Sequence, residues 1–179
     1  MTKLSDTHLQ QNRAWHGVRL FVLILPMLAA MIYPVSSLGD GLSILLNGRS
    51  WHLEKKQGVD YNETNLGTGF QYDFSGNGDH VYPFINAGGF KDSFENNSYY
   101  AGGGLAKRFM ANNSIHIDAG VTAFLMTRKD RNDGDPFPGM LPFMTIGTDK
   151  VAVNITYIPK VDPKMVPLFF IQLKISLTQ

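Results

Sequence analysis

Beyond residue 42, apolar side chains recur at every second position along most of the chain, a periodicity that fits half-buried strands and leaves no amphipathic helix to be drawn. Near the C-terminus Phe169, Ile171, Leu173, Ile175 and Leu177 alternate with Phe170, Gln172, Lys174 and Ser176. Val151, Val153, Ile155 and Tyr157 alternate with Ala152, Asn154 and Thr156, and Ile115, Ile117, Ala119, Val121 and Ala123 with His116, Asp118, Gly120 and Thr122. Read throughout, the pattern predicts eight strands, over residues 43–52, 65–74, 80–92, 98–109, 114–126, 140–147, 151–158 and 167–177. Segments of about ten residues suit tilted strands crossing a hydrocarbon layer, and an even number returns both chain ends to one side. The predicted fold is all-β, an eight-stranded antiparallel transmembrane β-barrel. A soluble β-sandwich is the alternative, but its strands tend to be shorter and it requires no export signal.

Connection lengths alternate as well. Residues 75–79, 110–113 and 148–150 form tight turns, while residues 53–64, 127–139 and 159–166 form longer polar connections, as expected if short turns face the periplasm and long loops face outward. The connection at 93–97 is shorter than the other outer loops. With the N-terminus on the periplasmic side, the first and third strands both run outward. They end at His52 and at Asp92-Ser93, which places these three residues on the outer rim.

Ahead of the strands, Lys3, Arg13 and Arg19 precede an apolar run from Leu20 to Tyr33 that gives way to Val35-Ser36-Ser37. This is the layout of a secretory signal, so residues 1–37 are expected to be a signal peptide and residues 38–179 one barrel domain. A membrane anchor is the competing reading, but the run is shorter than the ~20 residues of a spanning helix, contains Pro26 and ends at Pro34. A formal charge of +1 without a clustered basic surface gives no reason to expect a nucleic-acid partner. The chain contains no cysteine, which removes disulfides, thiolate chemistry and cysteine-ligated zinc, and its five histidines lack paired ligand spacing. Asp130, Asn132, Gly134 and Asp135 loosely follow a calcium loop, but Leu141 stands where a bidentate glutamate belongs. Gly102-Gly103-Gly104 lacks the lysine and following helix of a phosphate loop and reads as a strand kink or an interior cleared for a ligand. No metal or cofactor is expected.

A histidine beside an aspartate and a serine brings together a base, a group to orient it and a hydroxyl, the minimum for acyl transfer. The same residue types also solvate strand ends, so a rim that merely faces water is the competing reading.

The chain resembles the PagP family, the lipid A palmitoyltransferases of the Gram-negative outer membrane. The resemblance runs in order through Ser50-Trp51-His52, Tyr61-Asn62-Glu63, Gly67-Thr68-Gly69-Phe70, Phe90-Lys91-Asp92-Ser93, Ala119-Gly120-Val121-Thr122-Ala123, Leu141-Pro142 and Thr156-Tyr157-Ile158-Pro159, with an ungapped run from Pro138 to Pro159. It implies an eight-stranded barrel whose upper interior holds one acyl chain, a phospholipid as acyl donor, lipid A as acceptor, a membrane-embedded monomer and no cofactor. The family's catalytic histidine falls on His52 and its aspartate-serine pair on Asp92 and Ser93. His52 is then the expected general base, Asp92 the residue that orients it and stabilises its charged form, and Ser93 a hydrogen-bond donor or a nucleophile. The glycine that measures the acyl chain falls on Gly104, and the prolines that open a lateral gate fall on Pro142 and Pro159. Lys91 and Arg128 are expected to hold lipid phosphates at the rim, with snorkelling and loop solvation as their other readings. The chain departs from the family pattern in leaving only residues 38–42 for an amphipathic helix before the first strand, in lacking a proline near Asn65, in a shorter loop after His52 and in ending without a terminal aromatic. Two other functions compete: a non-catalytic structural or adhesive barrel, in which His52 is dispensable, and an outer-membrane esterase or phospholipase that passes the acyl group to water.

Overall fold

The computed structural model describes residues 41–76, 80–161, 163 and 165–178. The signal-peptide reading of residues 1–37 lies outside the described residues. Eight strands, β1 (Gly41–His52), β2 (Thr64–Asp73), β3 (Val81–Lys91), β4 (Asn97–Met110), β5 (His116–Thr127), β6 (Phe137–Gly147), β7 (Val151–Ile158) and β8 (Leu168–Ser176), follow one another around the sheet. Each pairs antiparallel with its neighbours, and β8 pairs with β1, so the barrel is closed. The strand boundaries follow the alternation closely. The one large difference is β6, which begins at Phe137 rather than at residue 140, because Phe137, Pro138 and Gly139 pair with Met126, Leu125 and Phe124 of β5. Pro138 is tolerated there because the other flank of β6 has no partner strand at that height.

The two faces of the sheet are inverted relative to a soluble protein. Leu66, Phe70, Leu105, Val121, Leu125 and Met140 are exposed on the outside, whereas Ser43, Asn47, Gln71, Asp118, Thr145 and Asn154 are buried within. Apolar-out, polar-in alternation is the arrangement of a barrel surrounded by lipid.

The lower half of the interior is filled by a charged network. Arg108 donates from Nε to Asp118 Oδ1 at 2.9 Å and from Nη2 to Oδ2 at 3.0 Å, while its Nη1 reaches Asp149 Oδ1 at 3.0 Å. Tyr82 Oη donates to Asp118 Oδ2 at 2.7 Å. Lys174 pairs with Asp73, which also accepts from Gln71 Nε2. Above this layer Tyr82, Phe84 and Ala106 form a small apolar core with Phe143 packed against it.

One irregularity decides where the upper side chains point. In β1, Ser43, Leu45 and Asn47 are buried, but so are Ser50 and His52, with exposed Trp51 between them. The switch of parity occurs at a bulge: Asn47 pairs with Gln172 and Arg49 with Ile171, leaving Gly48 unmatched against β8. An extra residue in one strand re-aims everything beyond it. A strict period of two from Ser43 would have put Trp51 inside and His52 in the lipid.

The charged layer leads to a stability prediction. Asp118 is fully buried and Arg108 supplies two of its hydrogen bonds, so Arg108→Met should cost about 3 kcal/mol, the low end for stranding a buried charge. Urea unfolding in detergent micelles should show this as a lowered midpoint, and adding Asp118→Leu should restore part of it.

Candidate active site

Above the Phe84–Phe143 layer the barrel is open. A cavity of about 380 Å³, within the range of small-molecule sites, is lined by the aromatic rings of Phe84, Phe90, Phe124, Phe143 and Phe170. Its floor is an edge-to-face pair, Phe84 and Phe143, with ring centroids 5.4 Å apart at 87°. Gly104 lies directly beneath: a β-carbon there would stand 2.7 Å from Phe84 Cζ and 2.0 Å from the Val121 carbonyl oxygen. Phe84 therefore covers the expected measuring glycine, and the ring, not Gly104 itself, meets the contents of the cavity.

The wall has a lateral gap. The β6–β7 ladder runs only from Gly147–Ala152 to Phe143–Thr156; above it β6 pairs with β5 alone and β7 with β8 alone. Pro142 is the first residue of β6 beyond the ladder, and Pro159 follows β7 and lines the cavity. Proline has no N–H to donate, so the seam stops where Pro142 begins. The opposite seam, between β2 and β3, also ends early, at Gly67–Phe90. There Asn65 Nδ2 donates to the Lys91 carbonyl at 2.8 Å, Asn62 Nδ2 to that of Asp92 at 3.2 Å, and the Asn62 N–H to that of Ser93 at 2.9 Å. Side chains stitch the position where a proline was missing from the sequence.

Ser93 lines the cavity, and His52, itself buried, stands against it. His52 Nε2 lies 3.2 Å from Ser93 Oγ, and the imidazole stacks on Tyr61 at 4.5 Å and 20°. Asp92, fully buried beside Ser93, makes no contact with His52 among those described. Its Oδ1 accepts the N–H groups of Phe94 at 2.9 Å and Asn96 at 3.0 Å, and its Oδ2 accepts the Ser98 hydroxyl at 3.1 Å. The described contacts of Asp92 thus run to its own turn and not to His52: a carboxylate at the head of a tight turn caps that turn's free N–H groups, here in the loop that carries Ser93.

The carboxylate nearest the imidazole is Glu63, whose Oε1 lies 3.6 Å from His52 Nδ1. Partial desolvation pushes the Glu63 carboxyl up, but the Lys55 ammonium and a hydrogen bond from Arg49 outweigh this and hold it below the ordinary carboxylate value, so it stays ionised at neutral pH. In the sequence, Tyr61-Asn62-Glu63 stands only as a family motif with no place in the site. The available signal was its position just before β2, the strand beside the outer end of β1. Arg128 reaches the lip, with Nη2 3.9 Å from Asp92 Oδ2, and is held by Asp130. Lys91 faces outward, away from the cavity. Among the described residues, no group of histidine and carboxylate side chains converges as a metal ion would require.

Fold and site together define an outer-membrane β-barrel with an apolar cup and a histidine–serine pair at its lip. The family described as "Antimicrobial peptide resistance and lipid A acylation protein PagP" matches residues 40–172. The lipid A acyltransferase PagP of Bordetella pertussis is 32% identical over 126 residues, covering 66% of this chain and 67% of that protein. Its counterpart in Shigella boydii is 33% identical over 119 residues, 62% of this chain and 61% of that one, and the one in Methylobacillus flagellatus is 30% identical over 102 residues, 55% and 53%. The chain belongs to the PagP family.

The role of Asp92 can be checked directly. Asp92→Ala should speed amide exchange at Phe94 and Asn96 by about tenfold, the equivalent of losing roughly 1.4 kcal/mol of local hydrogen bonding, while strand amides of β7 stay protected. Hydrogen exchange followed by NMR in micelles provides the measurement.

Proposed function

We propose that this barrel transfers a palmitoyl chain from a phospholipid to lipid A at the outer rim, working as a membrane-embedded monomer without a cofactor. The observation that carries the reading is an apolar cup, filled below by charged side chains and open sideways between β6 and β7, with Ser93 on its wall and His52 within hydrogen-bond reach of that serine. A lipid arriving through the Pro142–Pro159 gap can lay one acyl chain in the cup while its ester remains at the lip. His52 Nε2 takes the proton from the acceptor hydroxyl as that oxygen attacks the ester carbonyl. The tetrahedral centre then collapses, the bond to the donor glycerol oxygen breaks, and the imidazolium returns the proton to that oxygen, releasing a lysophospholipid. Ser93 hydrogen-bonds the reacting centre, and Asp92 acts through the turn that holds Ser93. Arg128 at the lip binds a lipid phosphate, while Lys91, on the outer face, snorkels to the headgroup level. Residues 1–37 direct export and residues 38–179 form the barrel domain.

Mass spectrometry of lipid A from cells with and without the gene tests this reading. A mass increment of one palmitoyl chain is expected. Lysophospholipid without acylated lipid A would make water the acceptor and sink the transferase. His52→Ala should lower transfer by roughly 10²- to 10⁴-fold in a barrel that still shows heat-modifiable gel migration, the range for losing a positioned base; wild-type transfer would remove His52 from the role of base. Chain length supplies a second check. A methyl at Gly104 meets both the Val121 carbonyl and the Phe84 ring, so Gly104→Ala has to displace β5 and the ring that floors the cup and should shift the product toward shorter chains. An unchanged chain-length profile in a folded variant would remove Gly104 from this role.

A further inference from the structure

We infer that Glu63 is the positioning residue for His52, holding the proton on Nδ1 and balancing the imidazolium, an assignment that rests on His52 being the base for acyl transfer. A neutral imidazole carries one donor and one acceptor nitrogen. To take a proton from a hydroxyl in the place marked by Ser93 Oγ, Nε2 must be the acceptor, which obliges Nδ1 to carry the hydrogen. That Nδ1 is buried and has no hydrogen-bond partner. The acceptor it faces is Glu63 Oε1 at 3.6 Å, a separation that a small side-chain rotation shortens to a hydrogen bond when the ring becomes charged.

Three further observations converge on the same residue. Asp92 is already occupied by two turn N–H groups and the Ser98 hydroxyl. The His52 ring plane is set by the stacked Tyr61, two residues before Glu63, and Tyr61 in turn contacts Phe94 at 5.9 Å, next to Ser93. The Glu63 backbone is fastened to the strand that carries His52 by the Ser50 N–H, which donates to the Glu63 carbonyl at 2.9 Å. One short segment, residues 61–63, therefore supplies both the stacking ring and the counter-charge. The charged groups around the imidazole are Glu63, Lys55 and Arg128, and Glu63 is the anion among them.

The test uses the full barrel in detergent micelles with a phospholipid donor and lipid A acceptor, measuring kcat and KM. Glu63→Ala should lower kcat about 100-fold with KM within about twofold of wild type, because the interaction strengthens only as the ring charges. Glu63→Gln keeps an acceptor for the Nδ1 hydrogen but not the charge and should fall less far, about tenfold, with Glu63→Asp between Gln and wild type. Imidazole ¹⁵N shifts give a readout that loop order alone would not move: Nδ1–H in the wild type, and a rise of the Nε2–H tautomer in Glu63→Ala. Glu54→Gln, which removes an exposed ion pair to Lys160 from the same loop, should leave kcat unchanged. A wild-type kcat in Glu63→Ala beside an inactive His52→Ala would overturn the inference and spare the proposed mechanism, whereas a wild-type kcat in His52→Ala would remove the base on which both rest. A Glu54→Gln loss equal to that of Glu63→Ala would also overturn the inference, since loop order would then explain both.

Discussion

Hydrocarbon offers a backbone N–H or C=O nothing to bond to, so a sheet placed in a bilayer must pair every strand on both edges and close on itself. The β1–β8 pairing meets that demand, and it makes each place where a ladder stops informative. Two upper seams stop early. At β2–β3 the amides of Asn62 and Asn65 bridge the missing rungs, so the wall stays shut. At β6–β7 the ladder stops beside Pro142, which has no N–H left unsatisfied by the break. The same need for backbone satisfaction therefore closes one seam and allows an opening at the other.

The filling of the barrel follows a similar economy. Polar side chains inside a narrow barrel are costly unless each finds a partner, and the lower half answers with Arg108, Asp118, Tyr82 and Asp149 bonded in one network. The upper half takes the other route and leaves space between aromatic rings. Phe84 and Phe143 separate the two regimes, so the cavity lined by aromatic rings lies toward the rim.

Most of the architecture was legible in the sequence because inside and outside differ so sharply in polarity. Alternation in Ile115–Ala123 or Phe169–Leu177 places each residue on a face without knowledge of its neighbours, and polar tips mark the turns. His52 and Ser93 were legible as rim residues from strand direction. What stayed hidden depends on how strands sit against each other. The parity change at Gly48 is a matter of register between β1 and its neighbours, and no local pattern announces it. The different surroundings of Asp92 and Glu63 depend on a turn that takes up one carboxylate and on a loop that brings the other, with Lys55 and Arg49, to the edge of the imidazole. The burial of Gly104 beneath Phe84 joins positions on β3 and β4 and could not be read from either strand alone.

The bulge at Gly48 also limits how such a chain can diverge. Substitutions within β1 are tolerated whenever they respect lipid outside and cavity inside, so sequences in this strand can drift widely. A single-codon insertion or deletion in the regular part of this strand, between Ser43 and Asn47, is a different kind of event: it barely alters average hydropathy, yet with the bulge kept it puts the residues on one side of Gly48 on the wrong face of the sheet. Length changes in this strand survive where they fall on the bulge itself or are compensated by a second one. Lineages carrying the fold should therefore vary in loop length far more freely than in the spacing between the start of the first strand and its histidine.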